Sequence, residues 1–240
     1  VQTQTPQYTI TAGDLQSIGG DVNFATNGAL LRIIIGHYPN DWPKILSVKA
    51  AYKKSLFGKV GDVIRVHFEK HESQVEAHLQ NSDGSTTFLL VSCAITGGQS
   101  PVIQPNNTFR SPASHPINDP LPDTIACITL DRDTQFAISK ITNFLSDLQS
   151  GNYWLWTRKA EYAWNRDHLE DTDSAQAFFW TETGGKCNFW VRFILKNQNG
   201  TIICHGRFNI AVTKINPESG QSRPLRISGV PSLVNFLAMN

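Results

Sequence analysis

His67, His71 and His78 are the side chains of this sequence best suited to holding a metal, and residues four apart such as His67 and His71 share one face of a strand or a helix. A catalytic zinc needs three converging ligands and the groups that orient them. Nothing in the spacing selects the third, so solvated strand histidines are expected and no metal is assigned. Asp167, Glu170, Asp171 and Asp173 could offer oxygens to calcium but lack the glycine that turns a calcium loop, and they read as loop acids in water. Glu161 and Glu182 could serve as the carboxylate pair of a glycosidase, although two acids among 20 do not define a site. There is no Gly-x-Ser-x-Gly elbow, and no cysteine stands at a helix start. GGDVNFATNG and ITGG lack the lysine or the helix that would hold a phosphate. The expectation is a protein that is not an enzyme, with no catalytic residue, cofactor or metal.

The aromatic residues are a stronger feature. Tyr153, Trp154, Trp156, Tyr162 and Trp164 are followed by Phe178, Phe179, Trp180 and Trp190. On a solvent face they would stack sugars or bases; divided between two faces they are core or a subunit contact. Trp154 and Trp156 alternate with Leu155, which suits a strand with one aromatic face. Trp154, Trp156, Tyr162 and Trp164 are therefore the candidate interface or ligand-stacking residues. Asn199-Gly200-Thr201 and Asn106-Asn107-Thr108 match the glycosylation pattern, which arises by chance too often to decide anything.

These residues must be positioned by a chain of 240 residues, long enough for one large β domain with its own core or for two small ones, and a single domain is expected. Lysine plus arginine number 21 against 20 acids, a net charge of +1, so no bulk field draws the protein to nucleic acid or anionic membrane. The four cysteines are widely spaced without a Cys-x-x-Cys pair and are expected to be free thiols. No apolar run approaches the ~20 residues of a membrane span. The sequence starts VQTQTPQYT, without methionine, which fits release from a precursor or a trimmed chain.

Residues 1–28 read as an extended polar arm, 29–215 as the β domain and 216–240 as an extended tail. Expected strands are Ala29–Ile35, Ile45–Tyr52, Val60–Glu69, Val75–Leu79, Thr87–Ile95 buried on both faces, Ile125–Leu130, the Tyr153–Trp164 block and Ala177–Thr181. Gly97–Pro122, with six prolines, is expected to be a long loop. Apolar residues at helical spacing, Phe136, Ile141, Phe144, Leu145 and Leu148, predict one helix over about 134–149, capped by Asp133 and ended by Gly151. No internal repeat is visible. The clearest element is Cys187–Ile215, two strands that each alternate apolar and polar around Asn197-Gln198-Asn199-Gly200, where the chain must reverse.

CNFWVRFIL, the polar turn with Gly-Thr-Ile, GRFNIAVTK and the proline-containing tail resemble the closing strands of coat proteins from picorna-like plant viruses, the comoviruses and cheraviruses. That resemblance implies an all-β, antiparallel jelly-roll sandwich with one or two short helices, built as a capsid subunit of a small icosahedral RNA virus. Its partners would be other capsid subunits, with RNA held by weak local contacts at most, no membrane, and the virion as its location. The alternative is a lectin-like or adhesin-like carbohydrate-binding module. In a jelly roll the last two strands lie in opposite sheets, so a tight hairpin within one sheet would count against the coat reading.

Overall fold

The computed structural model describes residues 1–12, 15–17, 23–25, 27–53, 60–97, 104, 108–116, 153–165, 174–215, 222–231 and 234. The elements are β1 (Gln2–Gln4), β2 (Gln7–Thr9), β3 (Leu15–Ser17), β4 (Asn23–Ala25), helix α1 (Asn27–Gly36), β5 (Ser47–Tyr52), β6 (Val63–Lys70), β7 (Gln74–Asn81) and β8 (Thr87–Ala94). There follow β9 (Phe109–Pro116), β10 (Tyr153–Trp164), β11 (Ser174–Thr183), β12 (Asn188–Asn197), β13 (Ile202–Ile215) and β14 (Ser222–Pro224). The expected helix over 134–149 and the strand Ile125–Leu130 lie outside the described residues.

Twelve strands form one antiparallel sheet in the order β1-β6-β7-β8-β5-β10-β13-β12-β11-β9, with β2 also on β6 and β14 on β13. A jelly roll divides its strands between two packed sheets, so the expected sandwich is overturned. The β12–β13 reversal is a tight hairpin in that one sheet. Gly200 N–H donates to the Asn197 carbonyl at 3.0 Å, Asn197 N–H to that of Thr201 at 3.0 Å, and Gly200 takes a φ of +79° that glycine adopts without steric cost.

The stretch Ala29–Ile35 is not a strand but most of α1. A short apolar run does not reveal its period, and three consecutive isoleucines favour a strand locally. Leu30, Leu31, Ile33, Ile34 and Ile35 are all buried, as in a helix wrapped on every side. Burying each such side chain is worth about 1.5–3 kcal/mol, against a propensity penalty of about 0.5 kcal/mol per residue. The sheet face meeting this cluster carries Val48 and Ala50, Ile64, Val66 and Phe68, Val75, Ala77 and Leu79, and Leu89, Val91 and Cys93. β8 buries this face alone, since Leu90 and Ser92 on the other face are only half-buried. Within the expected loop Gly97–Pro122, β9 pairs with β11 at the sheet margin, where prolines remove few ladder bonds.

The sheet is a tandem repeat. β1-β6-β7-β8-β5 and β9-β11-β12-β13-β10 have the same strand order, joined where β5 pairs with β10. The turns after β7 and β12 repeat one construction. Asn81 and Asn197 each accept a later backbone N–H at 2.9 Å through Oδ1, from Thr86 and Thr201 respectively. Gly84 and Gly200, at φ +76° and +79°, each donate to the carbonyl of that asparagine at 3.0 Å. Both hairpins also shift register at one place, between Leu79 and Gln80 and between Leu195 and Lys196. The shared motif, LQNSDGS and LKNQNGT, is too short to stand out in the chain.

Carried through the register, the match pairs Ala77 with Phe193, Val91 with Gly206, and Phe68 with Phe179. It also makes Lys49 the counterpart of Glu161, and these two face each other across the β5–β10 seam, so the pseudo-two-fold axis passes between them. The halves fill their cores differently: Ala77 opposes Val91 in the first, Phe193 opposes Gly206 in the second. A Cβ on Gly206 would run into the Glu161 carbonyl and come within 2.7 Å of the Phe193 ring. Glycine here is what lets the larger ring lie across the strand.

Candidate functional site

On the face of the sheet away from the α1 cluster, one row of directly opposed residues crosses eight strands. It reads Glu69, Glu76, Ser92, Lys49, Glu161, Arg207, Arg192 and Trp180. Alternation places these residues outward because their chain neighbours fill the core. The first half presents two acids side by side, and the second presents two arginines and a buried tryptophan.

In the second half Arg207 Nε donates to Glu161 Oε2 at 2.8 Å and its guanidinium lies 4.3 Å from the centre of the Trp190 ring. Arg192 Nε stands 2.6 Å from Glu182 Oε1, a close ion pair without the alignment of a hydrogen bond. Next to them is His205, opposite Ile194 on β12. Burial, and then the Arg192 charge, push its pKa below the usual 6.5, and its Nε2 is buried without a hydrogen-bond partner. Asn209, also buried, donates to Asn188 Oδ1 at 3.0 Å, which accepts Gly185 N–H as well and so secures the β11–β12 turn.

The residues singled out from the sequence are distributed as follows. Tyr162 and Trp164 are buried, with ring centres 6.2 Å apart. Trp154 and Trp156 lie on β10 opposite Thr213 and Ala211. Glu161 and Glu182 do not face each other as a free carboxylate pair, each being engaged by an arginine. His67 and His78 face each other at 6.1 Å between ring centres, and Thr5 Oγ1 bonds His67 Nδ1 at 2.9 Å. His71 instead approaches Glu69 at 3.6 Å, and among the described residues no group of side chains could hold a metal. The acids from Asp167 to Asp173 lie outside the described residues. GGDVNFATNG does lead into a helix, α1. Sequence reasoning missed Arg192, Arg207 and His205 as a cluster; strand parity placed each on an outward face, but only register sets them beside one another.

No protein-family model and no curated protein matches the sequence. Solved structures do match. An acyl-CoA thioesterase II from Mycobacterium marinum is 11% identical over 87% of this chain and 97% of its own, with a TM-score of 0.55. The dehydratase domain of PpsC from Mycobacterium tuberculosis, in complex with C12:1-CoA, is 11% identical over 88% and 94%, with a TM-score of 0.57. A conserved protein of unknown function with a hot dog fold from Alicyclobacillus acidocaldarius is 8% identical over 87% and 92%, with a TM-score of 0.55. The class this chain falls into is thus the hot dog fold, a sheet wrapped about a helix, here with its strand order present in tandem.

That result overturns the coat-protein resemblance. Among the structures that share this fold are thioesterases and a dehydratase, and those compared are not capsid proteins. The coat function, the capsid subunits and enclosed RNA as partners, and the virion as location depended on a jelly roll and fall with it; the lectin alternative, drawn from the aromatic strand, and the non-enzyme reading, drawn from missing motifs, are contradicted by neighbours named as thioesterases. The aromatic strand and the Gly-x-Phe strand that suggested a coat are features that a buried antiparallel hairpin can carry in either fold.

Proposed function

We propose that this chain is an enzyme that binds an acyl thioester and hydrolyses it to a carboxylic acid and a free thiol. The observation that carries the reading is the tandem hot dog sheet, shared along 87–88% of the chain with proteins named for acyl-CoA chemistry. Fold by itself does not assign a reaction, so the surfaces of this chain matter. The helix side of the sheet carries the buried apolar cluster, suited to an acyl chain, whereas the outer face carries the charged row. Helix α1 has no acid in its first turn, which leaves its positive end free to stabilise negative charge developing on a thioester oxygen.

The test is chromatography of acyl-CoA substrates of increasing chain length after incubation with the purified protein. Free CoA and free acid are expected in equal amounts for a limited range of chain lengths. Loss of water from a 3-hydroxyacyl-CoA instead would keep the thioester and move the assignment to the dehydratase reaction. No turnover and no saturable binding of any acyl-CoA would overturn the proposal.

A further inference from the structure

The Arg192–Arg207–His205 cluster has no counterpart in the first half. The repeat places Glu76, Ser92 and Leu90 at the equivalent positions, and those residues support the same strands in the same register. The cluster is therefore not needed to build the sheet. Two arginines directly opposed on neighbouring strands repel one another, a local cost that an ordinary surface avoids. Each is held by its Nε edge, Arg207 on Glu161 and Trp190, Arg192 on Glu182. Among the described residues the buried Arg192 Nε and the buried His205 Nε2 have no hydrogen-bond partner.

We infer that Arg192, Arg207 and His205 form a binding site for a phosphate group, separate from the acyl-binding side of the sheet. A phosphate dianion answers each feature of the cluster. It offers oxygens to two planar donor sets and cancels the repulsion between them, and its remaining proton or oxygen pairs His205 Nε2. Glu161 and Glu182 hold the arginines at Nε, the edge away from the terminal amines. Half-buried Phe178 lies on β11 opposite Ile194, so a phosphate ester with a planar base would also find aromatic surface.

The experiment is a thermal-shift and calorimetric titration with inorganic phosphate, against sodium chloride at matched ionic strength. Saturable stabilisation by phosphate is expected, with affinity falling about tenfold or more in Arg192→Gln and in Arg207→Gln. Arg192→Lys and Arg207→Lys keep the charge and guard against a folding defect; they should restore only part of the affinity, because an ammonium lacks the planar fork. Adenosine monophosphate in a parallel titration separates the sources: tighter binding than phosphate points to a nucleotide, equal binding to phosphate itself. A shift no larger than that of chloride, or full affinity in both glutamine variants, would overturn the site.

Discussion

Gly206 and Phe193 form a pair whose sizes must match, and separating them tests how the second half departs from the first. In the first half the equivalent pair is Val91 opposite Ala77. In Gly206→Ala the new methyl meets the Glu161 carbonyl and lies 2.7 Å from the Phe193 ring. The ring is fully buried and also packs on Tyr162, with centres 5.8 Å apart, so it cannot swing aside freely. Overpacking of this kind costs about 1–3 kcal/mol, and the backbone contact places Gly206→Ala toward the upper end. Phe193→Ala empties the site and costs about 3–5 kcal/mol. The double variant relieves the ring clash but not the Glu161 contact, so its loss should fall short of the sum by about 1–2 kcal/mol. Urea unfolding of wild type, both single variants and the double variant measures this coupling, provided the slope m stays constant. Additivity within about 0.5 kcal/mol, or a harmless Gly206→Ala, would refute the size-matching argument.

Other outcomes follow from the same geometry. His205 is depressed in the fold, so the unfolded chain takes up more protons as pH drops below 6.5 and stability declines from there toward the folded pKa; His205→Gln should lose this part of the pH dependence of urea midpoints. Asn81→Ala and Asn197→Ala should cost similar amounts, about 1 kcal/mol each, in thermal or urea unfolding, because each removes the same turn hydrogen bond. Glu161→Gln should cost no more than about 1 kcal/mol in the same assay, since the Glu161–Arg207 pair is about one-third exposed and screened. A thiol reagent should modify half-buried Cys187 well before Cys93 and Cys204, read by mass spectrometry of the labelled peptides.

Much of the local structure was legible in the residues. Alternation over β6 and β12 marked a buried side, and Asn-Gly located the final hairpin, because period and turn chemistry are local properties; β13 departs from the pattern, since Asn209 and Ala211 are buried along with Phe208, Ile210 and Val212. The helix in ALLRIII was not legible, since its three isoleucines favour a strand until the sheet closes around them. Topology was hidden for a related reason: the same hairpin serves a jelly roll or a single wrapped sheet, and only long-range pairing separates them. The repeat survives in the sequence as one turn motif, while Ala77 and Val91 have become Phe193 and Gly206. The arginine cluster depends on register between β12 and β13, which no single strand reports.

The most direct test of the central claim is a crystal structure with a non-hydrolysable acyl-CoA thioether. The account predicts the acyl chain on the apolar, α1 side of the sheet, with the thioether sulfur near the first turn of the helix, Asn27–Leu30. An acyl chain lying on the charged outer face, or no bound ligand at concentrations that saturate a thioesterase of the same fold, would contradict it.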